Sequence, residues 1–286
     1  MHNSVSMNCK SHSALQQQDT IKCQIKPRNI PMLHDLTFFL AAVPAVVLVG
    51  LSKGGLGGAF SLLGVPLLAL AVSPMQAAAI FLPILIVMDW VALYAWRMHN
   101  DRKTLFLLLP GGIIGIALGW MTSNIVPADA MRLVLGTITV IFAGRYFVNR
   151  LKGLSHDDIK PAPQRPIRAG LWGTIAGYGS FISHAGGPPF EIYALPLKLD
   201  PRAYTGTSVR FFAILNAIKI IPYVALGQLD LKNFTASLTL LPLAFLSTMA
   251  GAFIVRRLKP QVFYPLIYGA TLLAGLKLLW DGLALL

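Results

Sequence analysis

Charged side chains are scarce in this sequence: Asp, Glu, Lys and Arg together make up 12% of its 286 residues. A soluble domain usually has about a quarter of its residues charged, so the shortage excludes an ordinary water-soluble fold. Apolar residues make up 55% of the chain instead, and they form many long runs. The composition therefore predicts an all-α membrane protein that crosses the bilayer several times.

Acidic residues are especially few, with 11 Asp and Glu against 24 Lys and Arg and a net charge of +13. In a soluble protein this excess would indicate nucleic-acid binding. In a membrane protein it indicates basic loops that set the orientation of the spans. We therefore expect the lipid bilayer, and no nucleic acid, among the partners.

Other chemical signatures are missing as well. The two cysteines, Cys9 and Cys23, form neither a metal-binding spacing nor a disulfide framework. The sequence contains no phosphate-binding loop, so it encodes no ATP-driven pump, and we expect no metal or cofactor. Residues 1–33 lack the apolar core of a signal peptide. We expect them to form a disordered tail, or to be absent from the native protein if translation begins at Met32.

Two glycine-rich stretches interrupt the apolar runs. Residues 50–58 read GLSKGGLGG, and residues 177–189 read GYGSFISHAGGPP. Glycine weakens a helix, and bare backbone groups at membrane depth must be covered by protein or line a water-filled cavity. We therefore interpret the two breaks as candidate binding sites.

The polar linker 149–168 divides the chain into two transmembrane halves, 34–148 and 169–286. Glycines and prolines recur in the same order in both halves, which indicates an internal duplication. Each half is expected to contain a broken or hairpin segment followed by three full spans. The full spans are expected at 76–96, 105–121, 131–148, 203–225, 231–255 and 262–283.

The charges of the loops bear on how the halves are oriented. If each break joins a hairpin that returns to its own side, the halves are inverted. The four basic connections, 97–103, 145–168, 198–202 and 256–259, then share one face of the membrane. The two connections on the opposite face, 123–132 and 227–233, each balance to zero charge. This arrangement fits the positive-inside rule. If each break instead lies within a crossing span, the halves are parallel; we favour the inverted repeat.

The helices that restart after the breaks are suited to a small oxyanion, because their first N–H groups lack partners and carry partial positive charge. We expect two such ends to face each other near the bilayer midplane. The glycines equally permit a tight helix crossing. The candidate substrate-binding residues are Lys53, Gly54, Gly55, Gly57, Gly58, Ser183, His184, Gly186, Gly187, Arg210 and Asn216.

The charged candidates have alternative roles. Lys53 is either a fixed charge for the substrate or a snorkelling lysine at the end of a span, and Arg210 suits bidentate oxyanion contacts. Asp89 aligns with Asn216 in the duplicated register. Proton-coupling candidates are Asp89, His184 and Glu191, although an internal ion pair, a buried neutral histidine and helix capping are the respective alternatives.

Several motifs stand at or after the breaks: Gly57-Gly58 with Pro66, Gly186-Gly187-Pro188-Pro189 with Pro196, Thr205-Gly206-Thr207-Ser208, and Asn216. These motifs resemble those of the TauE/SafE family of sulfite and organosulfonate exporters. The resemblance covers about residues 36–286. It implies a secondary exporter of sulfite or a related sulfur-containing anion in the plasma membrane, driven by an ion gradient.

We therefore expect a transporter and not an enzyme. Its substrate would be a small inorganic or organic sulfur oxyanion, and a homodimer is compatible with the sequence. An anion channel that uses the same site is the alternative. An intramembrane hydrolase built on Ser180 and His184 is a third hypothesis, but the G-x-S-x-G spacing of a hydrolase nucleophile is absent.

Overall fold

Long apolar runs bounded by proline or by polar residues fold into helices throughout the described part of the chain. A computed structural model describes residues 36–56, 58–72, 74–122, 125–126, 128–153, 160–225 and 231–283, and within these ranges it contains helices and no strand. The α-helices are α1 (Leu36–Leu51), α2 (Gly64–Leu68), α3 (Pro74–Ala95), α4 (Arg102–Thr122), α5 (Ala128–Leu151), α6 (Pro166–Ser183), α7 (Gly187–Ala194), α8 (Pro201–Ala225), α9 (Leu231–Arg257) and α10 (Pro260–Leu283).

Each of the six expected full spans corresponds to one long helix. Among the described residues, five helical stretches are long and apolar enough to cross a membrane: Leu36–Leu56, Arg102–Thr122, Ala130–Leu151, Phe234–Arg257 and Pro260–Leu283. Helix α3 adds the shorter apolar stretch Ile80–Ala95. Helix α8 is 25 residues long and carries Arg210 and Lys219, so polar groups enter the helix bundle there.

Helices of the two predicted halves pack against each other. The most extensive pairs are α4 with α6, α5 with α10, and α9 with both α1 and α3. All described residues belong to one compact unit, Met32–Leu286. The boundaries of the two halves and their inverted relation stay predictions.

The contact between α4 and α6 is made backbone to backbone. A Cβ atom added to Gly115 would lie 2.7 Å from the Tyr178 amide nitrogen, and one added to Gly177 would lie 3.0 Å from the Cα of Gly112. Real Cβ atoms are essentially never found closer than about 3 Å to such atoms, because the packed interior has no room to yield. Gly111, Gly115 and Gly119 therefore form a close-packing face of α4 against α6.

Substitution at this contact should destabilise the protein. We expect Gly115→Ala to lower the thermal unfolding temperature in detergent, since overpacking of a tight contact typically costs about 1–3 kcal/mol. The matched control is Gly144→Ala in α5, where an added Cβ meets nothing within 4 Å and alanine favours the helix. Equal unfolding temperatures for the two variants would contradict the proposed role of the α4–α6 contact.

Candidate functional site

The first glycine stretch kinks the helix at Gly55, whose φ and ψ are not helical. Helix α1 continues as a π-helical turn, Ser52–Leu56, which is followed by a 3₁₀ turn, Gly58–Leu63. Gly55 lies in this segment with φ 137°, a conformation that only glycine adopts readily. A Cβ atom at Gly55 would also lie 2.6 Å from the Cγ2 of Thr205. Glycine therefore brings this turn directly against α8.

The second stretch reverses direction between α6 and α7. His184 follows α6 with a left-handed φ of 54°, and the Ala185 N–H donates to the Gly179 carbonyl at 2.9 Å. Helix α7 then begins at Gly187 and has Pro188 and Pro189 in its first turn. Because proline has no N–H, this turn offers fewer free amides to an anion than the sequence interpretation assumed.

A cavity of about 60 Å³ lies between the two stretches and α8. One water needs about 10–15 Å³ on this scale, so the cavity has room for a small polyatomic anion. Of the predicted substrate-binding residues, its wall includes Lys53, Gly55, His184, Gly186, Gly187 and Asn216.

Other predicted residues lie elsewhere or are not described. Gly54 packs on α9. Its carbonyl accepts a 2.9 Å hydrogen bond from the indole of Trp96, which directly follows α3. Gly57 lies outside the described residues, as do the side-chain surroundings of Gly58 and Ser183.

Lys53 is held by a buried carboxylate. Its Nζ lies 2.6 Å from Oδ1 of Asp89, and the side-chain amide of Asn216 donates to Oδ2 of Asp89 at 2.6 Å. The side chains of Lys53 and Asp89 are 13% and 8% exposed. The internal ion pair that the sequence left as an alternative is therefore present. It joins the first stretch to α3 and α8.

A second buried lysine was given no role by the sequence interpretation. Lys219 is 3% exposed, lines the cavity, and donates to the Ser180 hydroxyl at 3.0 Å and to the Ser180 carbonyl at 3.2 Å. Within the described ranges, no carboxylate lies within salt-bridge distance of it. Asp89 pairs with Lys53 and not with Lys219, so the cavity would carry a net positive charge whenever Lys219 is protonated. The position of Lys219 in the middle of an expected span was the sequence signal that could have identified it as a site residue.

Two residues of the cavity wall carry buried hydroxyls. Tyr204 and Thr205 are each 1% exposed and line its wall. Neither the Tyr204 hydroxyl nor the Thr205 Oγ1 has a hydrogen-bond partner in the part of the chain that the structure describes. Buried polar groups are nearly always bonded, so these two can donate to a bound anion. Thr205 belongs to a motif noted in the sequence, whereas nothing in the sequence singled out Tyr204.

Arg210 lies apart from the cavity. Its guanidinium donates to the carbonyls of Trp96, Arg97 and His99 at 2.7–3.1 Å, and to Gly206 at 2.9 Å. These carbonyls follow the end of α3, where a helix carries partial negative charge and favours a cation. Arg210 therefore fixes α8 to the end of α3.

Glu191 does not belong to the cavity wall. It is fully buried in α7 and accepts a 2.6 Å hydrogen bond from the Thr271 hydroxyl of α10. A carboxylate in this position ties α7 to α10. Its role in proton coupling stays a prediction.

The described site thus combines a small cavity with two lysine side chains, in a chain that the apolar helices identify as a multi-pass membrane protein. A family model described as "Sulfite exporter TauE/SafE" matches residues 42–278. Comparison with curated proteins and with solved structures finds no match. Because the family model covers most of the sequence, the chain belongs to the TauE/SafE sulfite exporter family of membrane transporters.

Proposed function

We propose that this protein is a secondary transporter of the plasma membrane that exports sulfite or a closely related small sulfur oxyanion. The observation that carries the proposal is the pair of lysines, Lys53 and Lys219, in the wall of a cavity of about 60 Å³, with a single carboxylate, Asp89, bound to one of them. An anion in the cavity would offset the cost of their charge. The small volume favours sulfite over a bulky organosulfonate.

Side chains, more than helix ends, are proposed to bind the anion. Lys219 and Lys53 supply charge, and the hydroxyls of Tyr204 and Thr205 supply donors that otherwise lack partners among the described residues. The amides of Gly186 and Gly187 add to this set. Charge-assisted hydrogen bonds of this kind are stronger than those between neutral groups.

Asp89 is proposed to couple anion binding to a proton. Its carboxylate competes with the substrate for Lys53, to which it is bound at 2.6 Å. Protonation of Asp89 would weaken this ion pair and leave the Lys53 ammonium for the anion. Asp89 also lines a groove between α3 and α8, next to the largely exposed Trp90.

Alternating access is proposed to come from rocking of one half against the other. Residues of both predicted halves line the cavity, so relative movement of the halves would change its access. The direct bond between Asp89 and Asn216 supports the duplicated arrangement. Asp89 and Asn216 occupy equivalent positions in the two predicted halves. In a pair of halves related by a two-fold axis, equivalent residues contact each other only beside that axis.

Flux in proteoliposomes tests the proposal against its alternatives. A transporter should give saturable sulfite efflux that responds to a proton gradient, whereas uncoupled flux at near-diffusive rates would identify a channel. Ser180→Ala should retain transport, because Ser180 is proposed to position Lys219 and not to act as a nucleophile. Complete loss of turnover in that variant would favour the hydrolase.

The binding groups can be tested by equilibrium titration with sulfite. We expect Lys219→Met and Tyr204→Phe each to raise Kd about tenfold or more, since a hydrogen bond to a charged group is worth about 1.5–3 kcal/mol. Lys277→Met is the matched control, because Lys277 pairs with Asp281 within α10 and does not line the cavity. Unchanged affinity in both cavity variants would refute this site.

Asp89→Asn tests the coupling. The amide cannot ionise, so the variant should bind sulfite with less pH dependence than the wild type and should transport it without response to a proton gradient. Both proteins are titrated with the same anion, so protonation of the ligand itself affects them equally. A wild-type pH profile in the variant would exclude Asp89 as the coupling group.

Arg210→Gln separates a structural role from a binding role. We expect a lower unfolding temperature, because carbonyls that follow α3 lose their charged donor, and a sulfite Kd close to that of the wild type. Calorimetry on the folded variant measures the second quantity. A loss of affinity as large as that of Lys219→Met would return Arg210 to the substrate site.

A further inference from the structure

A second, larger cavity lies away from the proposed sulfite site, between α5, α7 and α10. Its volume is about 660 Å³, and its wall carries three cationic side chains, Arg145, Lys160 and Lys198. We propose that this cavity binds an anionic phospholipid, with the phosphate on these cations and an acyl chain along α5. The inference does not depend on which anion the protein transports.

The polarity of the cavity changes along α5. Ile138, Ile141 and Phe142 line one end, while Arg145 and Asn149 line the other. Their spacing places them on one helix face that extends over three turns, or about 16 Å. An apolar surface that leads to a cationic end matches a lipid, which has an apolar chain and an anionic headgroup.

The opposite wall repeats this division. Trp172 of α6 and Ile192 of α7 add apolar surface, and Lys198 stands just after α7. The linker carries Lys160 to the cavity and is held there by a 2.9 Å hydrogen bond from the Ala162 N–H to the Pro196 carbonyl. The cationic end is therefore built from separate parts of the chain.

Position and size favour a lipid over a free anion. Lys160 and Lys198 belong to connections that are expected on the basic, cytoplasmic face, and Arg145 lies in the last two turns of α5. On that face bilayers expose anionic headgroups, and basic pockets between helices bind them. The cavity is far larger than the proposed sulfite site, at about 660 against 60 Å³. Its aromatic wall includes Tyr146 and Tyr268, whose rings stack at 3.8 Å.

The test uses the full chain, delipidated in neutral detergent and titrated with phosphatidylglycerol or with phosphatidylcholine. We expect phosphatidylglycerol to raise the unfolding temperature and to be retained in native mass spectra, while phosphatidylcholine does neither. The double variant Arg145→Gln/Lys160→Gln should lose at least half of the shift. The control Arg150→Gln/Lys152→Gln removes the same charge near the end of α5 but outside the cavity, and it should keep the shift.

A variant of unchanged charge tests the acyl-chain end. Ile138→Trp should fill the apolar part of the cavity and reduce phosphatidylglycerol retention, while sulfite binding remains as in the wild type. If Arg145→Gln/Lys160→Gln and its control Arg150→Gln/Lys152→Gln lost the same part of the phosphatidylglycerol shift, the proposal would be overturned, because bulk charge would then explain binding. If soluble glycerol 3-phosphate raised the unfolding temperature as much as phosphatidylglycerol does, the proposal would also be overturned, since the site would then hold a free phosphate ester.

Discussion

The buried bridge from Lys53 through Asp89 to Asn216 organises the centre of the molecule. It links the π-helical turn to α3 and α8 through two contacts of 2.6 Å. Charges at this depth are costly alone, and a buried pair persists only when its geometry and its additional hydrogen bonds are good. The bridge therefore fixes where Lys53 stands and leaves the nearby Lys219 without a carboxylate among the described residues.

Close backbone packing makes such a polar centre possible. A Cβ atom on Gly54 would lie 2.7 Å from the Cα of Gly251 in α9, and the turn at Gly55 lies directly against α8. Helices this close exclude lipid and large amounts of water, so the cavity between them stays small and electrostatic interactions inside it stay strong. The glycine-rich stretches therefore allow the helices to pack closely, and this close packing sets the shape of the cavity.

The sequence predicts the helices better than it predicts the site. Apolar runs locate the six long helices α3, α4, α5, α8, α9 and α10, because helix length and hydropathy are local properties. The role of Arg210 depends on carbonyls that follow α3, more than a hundred positions away, and no local pattern reveals such a contact. Tyr204 was missed for the same reason. Lys219 was detectable as a midspan cation, but only the fold brings it beside Ser180 and the cavity.

Charge balance gives a physical reason for coupled transport in the proposed mechanism. With Lys53 and Lys219 protonated and Asp89 ionised, the empty site has a net charge of one positive unit, which disfavours its movement through a medium of low dielectric constant. Bisulfite, with one negative charge, neutralises this site. Sulfite, with two, neutralises it only when Asp89 is also protonated. Either way the neutral complex carries one proton with the sulfite dianion, so the substrate and the proton would cross together.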